Sequence, residues 1–390
     1  MRKFARTSAG MLAFCWLLLV TPSTLITSAL AQSLLETRAE QAILIDVTTG
    51  ATLLEKNADQ LMPTSSMSKV MTMYAVFIRI KNGELSLDDR LPVSEKAWRM
   101  GGSKMFVEYG NDIRVEDLIQ GVIVQSGNDA TIVLAEGLAG SETAFADELN
   151  RLASDLGMEN SQFRNASGWP AQGHYSTARD LAKLAVAIIN EFPEFYHYYS
   201  QTEFTYHDIR QTNRNPLLYR NVGADGLKTG HTQAAGYGLI GSAARDERRL
   251  VLVLNGLESA RARAEESVRL LEYGFREFRL LTPFNAGDTV DEAQTWLGAA
   301  PTVPIVVRDK VQLVVPRAAL DRVTGRLHIV EPIATPITEG TTIGRLKLLD
   351  EGRTLQQVPV YIGANVEQQG VVARMGSTLR YLITSMLTGG

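Results

Sequence analysis

A serine and a lysine three residues apart share one face of a helix and can act as a nucleophile and its base. Ser66 and Lys69 stand so in Pro63-Thr64-Ser65-Ser66-Met67-Ser68-Lys69. The following Met67, Val70, Met71, Tyr74 and Ile78 repeat at the spacing of a buried helix, with Thr64 and Ser65 as capping residue types before it. A serine hydroxyl needs a base to become a nucleophile, and a desolvated, neutral lysine can serve. Alone, the four-residue pattern also fits a capping serine beside a surface lysine. Two more clusters add weight. Ser126-Gly127-Asn128 ends an apolar segment, and Lys228-Thr229-Gly230-His231 precedes a stretch that can form a strand.

The elements that must position these residues follow from periodicity. Before about residue 280, strands are expected at 42–47 and 250–254, and helices at 140–157, 176–191 and 265–278. After Pro283, short Val- and Ile-rich runs at 303–307, 311–315, 326–330, 342–348 and 358–362 are separated by Gly, Pro, Asp or Glu, which predicts a small all-β module. The 390 residues carry 39 basic and 43 acidic side chains, a net charge of −4, and 45% are hydrophobic. That balance fits an ordinary globular chain and argues against a nucleic-acid binder, which needs a basic face.

Both ends have their own texture. Arg2, Lys3 and Arg6 precede an apolar run at 11–20, and Ala29-Leu30-Ala31 has the small-x-small form of a cleavage site, so residues 1–31 read as a secretory signal peptide. Its removal takes away three basic residues, moving the net charge from −4 to −7, and takes the only cysteine, Cys15. No disulfide, thiol or cysteine-metal chemistry remains in the mature chain. At 371–387, Val371, Val372, Met375, Leu379, Leu382, Ile383, Met386 and Leu387 fall on one side of a helical wheel, with Arg374 and Arg380 outside that arc. Such a helix lies in a membrane interface rather than crossing it, unless it docks on its own protein or on a partner helix.

Ser-x-x-Lys, Ser-x-Asn and Lys-Thr-Gly in this order are the joint motif set of class A β-lactamases and penicillin-binding proteins. With 44–72, 102–106, 125–130, 175–180 and 226–242, these residues make the chain resemble the serine-type D-alanyl-D-alanine carboxypeptidases, the low-molecular-mass penicillin-binding proteins of peptidase S11 type. The likeness covers nearly all of residues 40–279, and the β module and tail are similar to that family's second domain and membrane-associating end. Gly127, where β-lactamases typically carry Asp, is what the carboxypeptidases show.

The resemblance implies an α/β (α+β) transpeptidase-like domain at 32–280, with an antiparallel sheet covered by helices, then a β-rich domain at 281–365 and an amphipathic tail at 366–390. It implies Ser66 as nucleophile, Lys69 as base and Ser126 as proton relay. Asn128 would hold the substrate amide, Lys228 and Thr229 of the Lys228-Thr229-Gly230 motif its terminal carboxylate, and the backbone N–H groups of Ser66 and His231 the oxyanion. The expected substrate is a peptidoglycan pentapeptide ending in D-Ala-D-Ala, with β-lactams as mimics, in the periplasm and at the inner-membrane surface. No cofactor, metal or nucleic acid is expected. A β-lactamase would need a Glu-x-x-Leu-Asn segment, which is not seen around 158–165. An endopeptidase would use the same residues on a cross-link of similar bond type, whereas a non-enzymatic peptidoglycan binder would be expected to carry an eroded motif.

His174, His197, His207 and His328 lack metal-ligand spacing and read as surface or packing residues. Arg179 and Asp180 read as a structural pair, and Phe195, Tyr196, Tyr198 and Tyr199 as packing aromatics.

Overall fold

The computed structural model describes residues 35–371, together with 5, 6, 373 and 375. The signal peptide expected at 1–31 lies outside the described residues apart from 5 and 6, and so does most of the amphipathic tail. Two compact units meet in sequence between Glu277 and Phe278.

The first unit is built on five strands: β1 (Gln41–Asp46), β2 (Thr52–Lys56), β3 (Ala224–Thr232), β4 (Gly236–Arg245) and β5 (Arg248–Leu257). They lie in the order β2-β1-β5-β4-β3, with every neighbouring pair antiparallel. The helices are α1 (Lys69–Lys81), α2 (Val115–Ile123), α3 (Asn128–Ala139), α4 (Glu142–Asp155), α5 (Ala178–Glu191) and α6 (Ala260–Glu277). All nine residues from Lys69 to Phe77 are buried, so α1 runs through the core rather than along its surface. Phe77 stacks on Phe195, with ring centroids 5.0 Å apart, and Tyr198 and Tyr199 are buried nearby, as their packing reading requires.

Several local expectations need correction. The capping residues before α1 do not cap: Thr64 has helical backbone and no cap hydrogen bond, and Ser65–Ser68 form a 3-10 turn. Ser65 itself has φ 44, a left-handed conformation that costs a non-glycine residue about 1 kcal/mol. The Lys-Thr-Gly motif lies inside β3 rather than before a strand, because backbone pairing of Lys228 with Ile240 and Thr229 with Leu239 continues through it. Helix α6 begins five residues before the expected start; its first turn is polar, held by the exposed Arg261–Glu265 pair, and so carries no apolar periodicity. Arg179 and Asp180 do not pair with each other. Arg179 bridges Glu55 and Asp59, whereas Asp180 accepts from Asn160 N–H and the Ser161 hydroxyl.

Among the described residues from 278 to 370, the second unit is all β in its regular structure apart from one 3-10 segment, Arg317–Arg322. Its strands are β6 (Phe278–Phe284), β7 (Thr289–Trp296), β8 (Thr302–Val306), β9 (Val311–Pro316), β10 (Val323–Ile329), β11 (Ile333–Ala334), β12 (Thr342–Asp350) and β13 (Arg353–Ile362). One sheet runs β10-β12-β13-β8-β7-β11, and β6 pairs with β9. Val303, Ile305, Leu346, Leu348, Val360 and Ile362 alternate inward to form its core. β7 carries no clear sequence signal because its buried positions are few and spaced among polar residues.

Candidate active site

Ser66 is carried by the 3-10 turn and Lys69 by the first residue of α1, so the two functional groups meet one turn apart. Lys69 Nζ lies 2.9 Å from Ser66 Oγ, 2.7 Å from Asn128 Oδ1 and 2.6 Å from the Ser167 carbonyl. The lysine is wholly buried. Burial first, then the nearby Arg214 cation, bring its pKa down to about 7, although Asp129 and Glu142 oppose them. A lysine so placed is able to accept a proton near neutrality.

The Ser-x-Asn segment sits between α2 and α3. Ser126 is buried with φ 65, which turns the chain sharply enough for Asn128 to open α3 inside the site. Asn128 uses both ends of its amide: Oδ1 accepts from Lys69, while Nδ2 donates to the Gly101 carbonyl at 2.9 Å. Asp129, next in the chain and fully buried, accepts from the backbone N–H groups of Met105, Phe106 and Val107. These bonds hold the 101–107 loop against α3, leaving Phe106 exposed.

On β3, Lys228 and Thr229 are buried. Burial, reinforced by Lys69, Arg214 and Arg263, holds the Lys228 amine well below the usual lysine range. Its Nζ contacts the Thr229 carbonyl at 3.2 Å. Three other cations around it create a field that an anionic ligand would relieve. Gly230 lets β3 pass the nucleophile's turn, since a Cβ there would stand 2.3 Å from Ser65 Oγ and 2.9 Å from the Thr64 carbonyl. The His231 ring is exposed and stacked on Tyr237.

The structure thus gathers Ser66, Lys69 and Asn128 by direct contact and brings β3 against the same turn. Four contributors were missed by sequence reasoning. The 165–169 loop is folded by Asn165, whose Oδ1 accepts from the N–H groups of Ser167, Gly168 and Trp169, and it delivers the Ser167 carbonyl to Lys69. Gly168, at φ 77, touches Ser65 so closely that a Cβ would stand 1.8 Å from the Ser65 carbonyl oxygen. Arg214 reaches Ser103 Oγ at 2.5 Å, and His174 is buried behind the turn. The Asn-x-Ser-Gly run was a legible turn signal; nothing in the sequence said which backbone carbonyl it would aim at the lysine.

Chains of known function share this architecture. Residues 27–258 match the family model described as D-alanyl-D-alanine carboxypeptidase, Peptidase S11, and residues 278–368 match that of the penicillin-binding protein 5 C-terminal domain. The chain is 37% identical over 341 residues to the D-alanyl-D-alanine carboxypeptidase DacC of Escherichia coli, covering 85% of each. It is similar to the solved penicillin binding protein 5 of Haemophilus influenzae, with a TM-score of 0.77 and 32% identity over 86% of this chain and 99% of that one. Penicillin-binding protein D2 of Listeria monocytogenes in its ampicillin-bound form matches with a TM-score of 0.58 and 33% identity, over 63% of this chain and 100% of that one. With the serine–lysine pair, the Ser-x-Asn turn and the Lys-Thr-Gly strand in one place, the chain belongs to the serine-type D-alanyl-D-alanine carboxypeptidases of the peptidase S11 family, the penicillin-binding hydrolases.

Proposed function

We propose that this carboxypeptidase cleaves the terminal D-alanine of peptidoglycan pentapeptides through an acyl-enzyme on Ser66. The observation that carries the assignment is the fully buried Lys69, with Nζ 2.9 Å from Ser66 Oγ and its pKa lowered to about 7. Neutral Lys69 takes the Ser66 proton as Oγ bonds to the carbonyl carbon of the penultimate D-alanine. The backbone N–H groups of Ser66 and His231 receive the charge that develops on the carbonyl oxygen. The C–N bond then breaks, and Ser126 relays the proton to the departing amine, which leaves as free D-alanine. Water attacks the ester, returns its proton through the same groups and frees Ser66.

Asn128 orients the substrate amide while keeping Lys69 in place. Lys228 and Thr229 take the free terminal carboxylate, and the buried cationic surroundings of Lys228 favour an anion there. A penicillin presents the same carboxylate and a strained amide, so it acylates the same hydroxyl. A β-lactamase reading is not favoured. Glu142, the carboxylate beside the 165–169 loop, is engaged by Ala166 N–H and Lys96, which leaves it poorly suited to activate water.

The basic start, apolar run and Ala29-Leu30-Ala31 support export to the periplasm, and the 371–387 pattern supports attachment to the inner-membrane surface. At the start of the tail, Val371, Ala373 and Met375 have helical backbone, and Val371 and Met375 are exposed. No described helix is long and apolar enough to cross a membrane. Deleting 366–390 should move the processed protein from the membrane to the soluble fraction with turnover retained; continued membrane attachment would place the anchor elsewhere.

The main test is Ser66→Ala, monitored by circular dichroism, a fluorescent penicillin and release of D-alanine from a pentapeptide. Folded Ser66→Ala protein should neither label nor turn over. Labelling of that variant would reject the nucleophile. Release of product from a cross-linked dimer, rather than from the pentapeptide, would assign endopeptidase action instead.

A further inference from the structure

His174 lies on the loop between Asn165 and α5, and only 8% of it is exposed. Its Nδ1 accepts the Arg164 N–H at 3.2 Å, which places the ring proton on Nε2. Nε2 therefore donates to Ser68 Oγ at 2.8 Å, and the Ser68 and Thr64 hydroxyls are hydrogen-bonded to each other at 2.5 Å. Burial first, then the Lys69 and Arg164 charges, hold the ring's pKa down to about 4, so it is neutral in the working range. Phe163 packs edge-on against the ring, with centroids 5.7 Å apart.

Ser68 and Thr64 flank the nucleophile: Thr64 opens the 3-10 turn on which Ser66 stands, and Ser68 precedes Lys69. The loop that carries His174 also supplies the Ser167 carbonyl to Lys69 and packs Gly168 on Ser65. The loop therefore grips the turn at three points, and His174 is the point that uses a side chain on both sides of the contact. Without this grip, the left-handed Ser65 has less to hold it in its strained conformation.

We infer that His174 is a positioning residue for acylation, acting through Ser68 and Thr64 to hold Ser66 in line with Lys69. The inference rests on the assignment of Ser66 and Lys69. It is specific about chemistry: one acceptor toward Arg164 and one donor toward Ser68 are needed at this place. Glutamine offers both; leucine fills the space and offers neither.

The test compares H174Q, H174L, S68A and the S68A/H174L double variant, measuring penicillin acylation rate constants, non-covalent affinity and thermal melting. H174L should slow acylation about tenfold with affinity unchanged, since a small misplacement of a reacting pair costs rate rather than binding. H174Q should return the rate to within about threefold of wild type, and H174L should have little further effect in the S68A background, the non-additivity expected of two residues acting in series. Full-rate labelling by folded H174L, equal losses for Gln and Leu, or additive losses with S68A would overturn the inference. Should H174L fail to fold, S68A decides: wild-type acylation by folded S68A overturns the inference, and slowed acylation at unchanged affinity supports it. Labelling of Ser66→Ala would overturn the underlying nucleophile assignment instead, so the two failures are distinct.

Discussion

The two units bury different things. In the first, Thr64, Ser65, Ser68, Lys69, Ser126, Asn128, Asp129, Lys228 and Thr229 are all removed from water within one region. Among the described residues, every buried polar or charged side chain lies in this unit, between Thr37 and Ser267, while the buried residues of the β unit are hydrophobic. Burying polar groups costs stability unless each finds a partner, and burying an unpaired cation costs more. The contrast therefore separates a region whose burial serves chemistry from one whose burial serves folding alone.

The sharpest way to break this contrast is to add one methyl group where the first unit's loop meets its nucleophile. Gly168→Ala would place a Cβ 1.8 Å from a backbone oxygen at a left-handed position. Penicillin acylation should fall by at least about a hundredfold, in keeping with the cost of displacing a reacting pair. A Gly168→Ala protein that labels at the wild-type rate would show that this close approach is dispensable.

The pH profile sharpens the same point. Lys69 must be neutral to take the proton, and its pKa is lowered to about 7. The acylation rate constant should therefore rise about tenfold per unit up to a midpoint near pH 7 and then level. A midpoint near the ordinary lysine value would show that burial does not lower the Lys69 pKa, and a rate independent of pH through this range would remove Lys69 as the base.

Lys228 tests the cost of burial. Its folded-state pKa lies well below the unfolded value, so folding releases a proton and the penalty grows as pH falls from the usual lysine range. Lys228→Met should raise the melting temperature at neutral pH by a few degrees, with the gain shrinking toward about pH 10, while turnover of substrates with a free carboxylate collapses. An unchanged or lower melting temperature in a folded variant would mean that the buried amine is better compensated than its surroundings indicate.

The smallest effect on activity should come from the β unit. Leu346→Ala removes a fully buried side chain there and should cost about 2–5 kcal/mol of that unit's stability, yet leave labelling of Ser66 in the folded protein unchanged. Loss of labelling in parallel with the β unit's stability would show that the two units are coupled.

Much of the fold could be read ahead because it depends on period. Apolar spacing marked α1, α4 and α5, and Val-rich runs marked most strands of the second unit. Helix α6 and strand β7 were misplaced or missed where polar residues occupied structured positions. Those positions are set by tertiary neighbours, which periodicity does not register.

The site divides in the same way. Residue type and spacing along the chain determined that Ser66 and Lys69 could meet, because three residues bring two side chains to one face whatever else surrounds them. The joint motif set determined which reaction to expect. Only the tertiary structure decided that Lys69 is dry enough to be a base, since desolvation and the Arg214 field come from segments far apart in sequence. It alone decided that the Ser167 carbonyl, the Gly168 backbone and the His174 ring hold the nucleophile's turn. A backbone carbonyl has no residue type to announce it, and a buried histidine has the same letter as an exposed one.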